Sequence, residues 1–249
     1  MFTPHTDKDV EAMLKSIGAD SVESLFEAVP AEFRYPELDL PPAASEMEIA
    51  QELEELAQAN ATTQGLLSFL GAGAYDHYSP AAVDMLLRRG EFYTAYTPYQ
   101  PEISQGTLQT IFEYQSMICA LTGMDVSNSS VYDGAVAAAE AAAMCRERGR
   151  TTVLVSAAMH PDTVATVQTY CYGAGSRMVV VPEKGGKTDP DALRALAADE
   201  TVCCLLLQQP NFYGMFEDAQ GLGEIIHEAG GKFILSCNPI ALAVMKTPA

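Results

Sequence analysis

The sequence has 249 residues, with 33 acidic and 14 basic side chains and a formal net charge of −19. Hydrophobic residues make up 48%, which excludes a disordered chain, and the length accommodates one or two domains. The charge argues against nucleic acid, whose phosphates need clustered Lys and Arg, and against an anionic membrane surface.

Residues 1–60 hold 14 acidic and 3 basic side chains, so they read as an acidic helical amino-terminal segment; residues 61–249 read as the body of an α/β domain. Thr6 and Asp7 can cap a first helix reaching Ile17, with Gly18 ending it. Ser21 opens a second short helix that stops at Pro30, and Pro36, Pro41 and Pro42 mark an extended linker. Ser45 with Glu48 three residues on is a capping box for a long acidic helix to about Asn60. Glycines and aromatics then crowd residues 69–78 without a period. Pro80 starts a helix reaching Arg89. Pro98 and Pro101 keep residues 92–103 out of a helix interior, and Ser104 is expected to cap a helix to about Leu121. Leu108, Ile111, Phe112, Ile118 and Cys119 share its apolar face. Residues 133–148 form an alanine-rich helix.

Beyond residue 150 the rhythm changes. Residues 152–156, 178–182, 202–208 and 233–237 are short apolar runs, separated by helical stretches at about 161–172, 189–198 and 217–229. Strand and helix alternating at this spacing mean βαβ units and a mostly parallel sheet with helices on both faces. The sequence stops twelve residues after Cys237, leaving the last strand without cover. It is therefore expected to be the amino-terminal portion of a longer polypeptide.

No signal-peptide pattern opens the sequence, since Asp7 and Asp9 interrupt it, and no apolar stretch is long enough to cross a bilayer. Six cysteines form no C-x-x-C pair and no zinc pattern. They read as buried free thiols of a reducing compartment, so a cytoplasmic location is expected. Cys203 and Cys204 should face opposite sides of a strand.

Gly186-Lys187-Thr188 lacks the earlier glycine of a phosphate-binding loop and reads as a turn before a helix. Gly71-Ala72-Gly73 lacks the third glycine of a dinucleotide site. His160 follows the first strand, at the carboxyl end where open α/β sheets bind ligands; a helix-capping histidine fits the same position. The turn before the alanine-rich helix, with Ser129, Ser130, Asp133, Gly134 and Ala135, could offer backbone N–H groups to an anion. An ordinary capped helix start fits it equally, and Asp133 would repel a phosphate. Tyr93, Tyr96 and Tyr99, interrupted by prolines, cannot all be core, because a buried phenol needs a hydrogen-bond partner. They point to a binding or interface surface.

The string Phe92-Tyr93-Thr94-Ala95-Tyr96-Thr97-Pro98-Tyr99-Gln100-Pro101-Glu102-Ile103-Ser104-Gln105-Gly106 resembles a signature of the glycine cleavage system P proteins, the decarboxylating glycine dehydrogenases. Residues 69–78, 131–135, 208–214 and Thr3-Pro4-His5-Thr6 resemble it too, in order along the whole chain. The start is similar to that of subunit 1 (alpha) of the two-chain bacterial form. The resemblance implies the fold of type I pyridoxal phosphate enzymes, here an incomplete large domain over residues 61–249. It implies decarboxylation of glycine on pyridoxal phosphate, with transfer of the aminomethyl group to the lipoyl arm of H protein. The Schiff-base lysine would belong to a partner beta subunit, in an α2β2 assembly. This chain would keep a degenerate cofactor pocket at Asp133, Gly134, Ala135, His160 and Asn238, the last standing where relatives often have an aspartate. Tyr96, Tyr99, Ser129 and Ser130 would line the active site from the alpha side. A scaffold subunit that only stabilises the beta chain and a self-sufficient pyridoxal phosphate enzyme are the alternatives.

Overall fold

The computed structural model describes residues 4–249. Thr3, which opens the amino-terminal match, lies outside the described residues. The chain divides into two compact units, the first ending at Leu67 and the second spanning Ser68–Ala249.

In the first unit, helix α1 (Asp7–Ile17) begins with a reciprocal capping box between Thr6 and Asp9. Gly18 ends it in the left-handed conformation, φ 70°, where a Cβ would be strained. The expected helix after Ser21 is reduced to a 3-10 turn, Glu23–Phe26. The Ser21 hydroxyl accepts from the Ser24 N–H at 3.2 Å and so closes one short turn, and Pro30 prevents its extension. Helix α2 (Glu46–Gln58) opens with the Ser45–Glu48 capping box. Neither helix has a buried residue.

The second unit starts with α3 (Ala81–Leu87), α4 (Gly90–Tyr93) and α5 (Pro101–Thr122). Helix α5 begins three residues before the expected Ser104 cap. Pro101 sits in its first turn, where its missing N–H costs nothing and its φ is already helical. Leu108, Ile111, Ile118 and Cys119 do share the half-buried face, but Phe112 points to solvent. The Ala-rich α6 (Gly134–Met144) follows, shorter than expected because the chain turns back through a Glu147–Arg150 bridge.

Strands β1 (Thr152–Ser156), β2 (Arg177–Val181), β5 (Val202–Gln209) and β6 (Lys232–Cys237) form one parallel sheet in the order β2-β1-β5-β6. Between β2 and β5 a hairpin, β3 (Glu183–Lys184) with β4 (Lys187–Thr188), turns at Gly185 and Gly186. Helices α7 (Pro161–Gly173), α8 (Pro190–Ala197) and α9 (Ala219–Glu228) complete the βαβ units.

Alternation along each strand sorts the core into two layers. Val153, Val155 and Leu206 pack with Ala138, Ala139 and Ala142 of α6 and Val167 of α7. Leu154, Leu205 and Leu207 pack with Leu193 of α8 and Leu222 and Ile226 of α9. Every residue of β1 is buried, as a strand covered on both faces must be.

Cys203 and Cys204 depart from expectation: both lie in the α6/α7 layer, with their sulfurs 3.7 Å apart. The ladder between β1 and β5 slips there, pairing Thr152 with Val202 but Val153 with Cys204. Cys203 is the extra residue of a β-bulge, and the bulge breaks the alternation that would have separated the two side chains.

Candidate functional site

The strand order fixes where a ligand crevice lies. From β1 the chain steps outward to β2, then returns past β1 to place β5 on its other side. The carboxyl ends of β1 and β5 therefore flank the topological switch point, the place where open α/β sheets bind ligands. Residues 157–160 leave β1 there, and residues 210–217 leave β5 beside them.

His160 is the centre of this crevice. It is the N-cap of α7, and its Nδ1 accepts the Asp162 N–H at 3.2 Å. The ring proton must then sit on Nε2, which donates to the Ala72 carbonyl oxygen at 3.0 Å. Its backbone N–H donates to Gln208 Oε1 at 2.8 Å, and its ring meets Phe212 edge-on with centroids 5.2 Å apart. The Phe212 N–H in turn donates to the Ala158 carbonyl oxygen at 2.8 Å. Gly71, Ala72 and Gly73, all with positive φ, turn directly over the imidazole. A Cβ on Gly73 would lie 3.3 Å from the ring.

Behind the crevice lies a buried polar network. Glu217, 7% exposed, accepts from Thr188 N–H at 3.1 Å, Thr188 Oγ1 at 3.2 Å and Asn211 Nδ2 at 2.9 Å. Its own N–H donates to Gln209 Oε1 at 2.8 Å. Thr188 Oγ1 is also 2.7 Å from Ser156 Oγ, so the network ties the ends of β1, β4 and β5 together. Asn211 Oδ1 accepts from the N–H groups of Tyr213 and Met215, which fixes the loop that carries Phe212. The sequence pattern places Glu217 at the start of a helix. In fact Asp218 is the N-cap of α9, and Glu217 precedes it as a buried carboxylate.

The other expected site residues fall in separate places. Tyr96 and Tyr99, 90% and 83% exposed, line a cleft of about 450 Å³ with Gln100, Ile103 and Thr107 of the α5 start. Ser130, Asp133 and Gly134 line a second cleft, of about 1020 Å³, with Tyr114 and Glu140. Ser129 and Ala135 do not line that cleft. Ser130 has φ 121°, and its N–H donates to Asn128 Oδ1 at 3.2 Å. Asn238 follows β6, where its Oδ1 accepts the Ile240 N–H at 3.0 Å.

These residues do not suit pyridoxal phosphate. The Asp133 carboxylate accepts the Val136 N–H at 2.7 Å. It therefore occupies, with a negative charge, the helix terminus that would have to hold a phosphate. Both nitrogens of His160 are engaged by the backbone, and Asn238 is a neutral amide committed to a cap. Among the described residues no cluster of His, Cys, Asp or Glu could hold a metal ion, and no helix is long and apolar enough to cross a membrane.

Sequence reasoning located His160 and the residue 208–214 string, but missed Gln208, Phe212 and Ala72 as its partners. It also missed Thr188, Asn211 and Glu217. The spacing of Gln208 and His160 carries no signal until β1 and β5 are known to be neighbours.

The family profile described as "Glycine cleavage system P-protein" matches residues 1–249. The chain is 49% identical to "Probable glycine dehydrogenase (decarboxylating) subunit 1" of Thermomicrobium roseum, over 100% of this chain and 56% of that protein. It is 48% identical to the protein of the same name from Geobacillus kaustophilus, over 99% of this chain and 55% of that one. The chain thus spans about half the length of the curated relatives it matches. A crystal structure of glycine decarboxylase (P-protein) of the glycine cleavage system, in inhibitor-bound form, superposes with a TM-score of 0.84 at 41% identity. That match covers 100% of this chain and 55% of the other. The structure of mouse CSAD superposes with a TM-score of 0.59 at 16% identity, over 94% of this chain and 55% of that one, and shares the fold alone. The parallel sheet with helices on both faces is the large-domain architecture of type I pyridoxal phosphate enzymes.

Proposed function

The chain belongs to the glycine cleavage system P-protein family, and on that premise we propose that it acts as subunit 1 (alpha) of a two-chain glycine decarboxylase. With subunit 2 (beta), as α2β2 in the cytoplasm, it decarboxylates glycine, releases CO2 and passes the aminomethyl group to the lipoyl arm of H protein. Pyridoxal phosphate, held by the beta subunit, supplies the electron sink. The match over residues 1–249 carries this reading, and the unsuitability of Asp133, His160 and Asn238 for the cofactor supports a division of labour between two chains.

This chain's own contribution is a wall of the active site. Tyr96 and Tyr99 stand exposed beside Pro98 and Pro101, which limit the loop's freedom. Their phenols hydrogen-bond the glycine carboxylate and exclude water as the site closes; Ser130 contributes from a separate cleft, which it shares with Asp133 and Tyr114.

The test uses the full reading frame containing these residues, reconstituted with subunit 2 and lipoylated H protein. Release of CO2 from carboxyl-labelled glycine is measured. Tyr96→Phe removes one hydrogen bond to a charged group, worth about 1.5–3 kcal/mol, so kcat/KM should fall about tenfold to about a hundredfold. Unchanged turnover and glycine KM would favour the second reading, a scaffold that stabilises the beta chain, for which the backbone-locked His160 and Asp133 speak.

A further inference from the structure

We propose that His160 is a positioning residue, whose Nε2–H pins the Gly71-Ala72-Gly73 turn across the switch-point crevice and so fixes residues 69–78 over that crevice. Four observations meet on one imidazole. Nδ1 is used by the α7 N-terminus, which orients the ring and leaves the proton on Nε2. Nε2 reaches a carbonyl 88 residues earlier in the chain, at 3.0 Å. Gly73, at φ 90°, lets the ring approach to where any Cβ would crowd it. Gln208 and Phe212, from the end of β5, hold the backbone and the ring from the other side.

The segment so held has little else to hold it. Phe69, Leu70, Tyr75 and Tyr78 are all exposed, and Ala72 has φ 52°, a conformation that an alanine adopts only under constraint. The crevice that would take a ligand in an open α/β sheet is thus bridged by the chain's own backbone, through a single side-chain donor.

The two ring nitrogens can be tested apart. His160→Asn places an amide oxygen near the position of Nδ1, so it retains the helix cap, but it is too short to reach Ala72. His160→Gln places an amide N–H near the position of Nε2, so it retains the anchor at the expense of the cap. Each variant is made in the full reading frame, mixed with subunit 2, and digested with chymotrypsin, which cleaves after Phe69, Leu70, Tyr75 and Tyr78. Loss of the one anchoring hydrogen bond should speed cleavage within residues 69–78 about tenfold in the Asn variant and less than about twofold in the Gln variant. A purely structural histidine predicts the reverse order, following the melting temperatures. Wild-type cleavage in the Asn variant, or equal cleavage in both, would overturn the proposal. If either variant fails to fold, Gly73→Ala is read in the same way: it crowds the ring from the turn side, and a wild-type cleavage pattern there would also overturn the proposal.

The link to the reaction rests on the function proposed above. It predicts that CO2 release falls in the Asn variant and is restored in the Gln variant; equal release by both would sever that link. The protease pattern is read without turnover. Loss of activity in the wild-type mixture would therefore defeat the functional reading while leaving the anchoring role separately decided.

Discussion

Glu217 shows how much can depend on one carboxylate. It lies one residue before the N-cap of α9 and takes three donors from two other segments. Replacing it by Gln keeps the volume but turns one acceptor oxygen into an NH2 group facing the Thr188 N–H and the Asn211 amide. Leaving a buried polar group without a partner costs about 1–3 kcal/mol. Glu217→Gln should lower the urea midpoint by a corresponding amount without changing the slope of the transition. A midpoint within error of wild type would show that the network adapts. Gly186 offers a contrasting residue-scale constraint. A Cβ there would come within 2.8 Å of the flexible end of Met215, which can move aside, but φ 78° is a left-handed conformation that strains other residues, so the hairpin turn favours a glycine.

At the scale of elements, the two capping boxes of the first unit have a pH signature. Thr6 hydrogen bonds hold Asp9 below its ordinary 3.8, and Ser45 hydrogen bonds hold Glu48 below its ordinary 4.5. A carboxylate with a lowered folded-state pKa contributes stability that is fully present above the unfolded value and fades as pH falls through the folded one. Helicity of α1 and α2 should therefore be flat above pH 4.5 and fall below it, read by far-ultraviolet circular dichroism. Ser45→Ala should remove the part of that fall that belongs to α2; an unchanged acid limb would show that its box contributes nothing.

At α1 the sequence pointed to Thr6 and Asp7 as caps and missed Asp9 as the reciprocal partner of Thr6, whereas the Ser45–Glu48 box was legible because its partners are three residues apart. The parallel sheet was legible for the same reason: each βαβ unit advertises itself by a local change of period, and β1 falls at the residues expected. The β-bulge at Cys203 was not, because it is a mismatch between two strands separated by 45 residues of chain and neither strand records it alone. The start of α5 was misplaced because a serine and a proline compete as opening signals, and the proline's fixed φ won. Tyr96 and Tyr99 are exposed together, as their prolines implied. The contacts of His160, which depend on strand order and on a turn far back in the chain, could not be seen until the fold brought them together.

At the scale of the whole molecule, charge and apolar surface are distributed differently. The strongly acidic residues 1–60 include α2, whose Met47, Leu53 and Leu56 are exposed alongside its glutamates. The α/β unit keeps its core strictly between the sheet and its helices. Its exposed aromatics include Phe69, Tyr75 and Tyr78 of residues 69–78 and Tyr93, Tyr96 and Tyr99 of the tyrosine string, while others, among them Phe112, Tyr132 and Tyr172, lie elsewhere on the unit.

The strand order β2-β1-β5-β6 has a further consequence, for amide hydrogen exchange. Strands β1 and β5 each have hydrogen-bonded neighbours on both sides, while β2 and β6 have one each among the described residues. The most slowly exchanging amides should therefore cluster at residues 153–155 and 204–207, near the limit set by global unfolding, with β2 and β6 exchanging sooner. Equal protection of β5 and β6 would contradict that gradient. If it holds, His160 and Gln208 are mounted on the last part of the sheet to open, while the turn they hold is among the first segments free to leave: a slow platform beneath a fast surface, joined by one exchangeable ring proton.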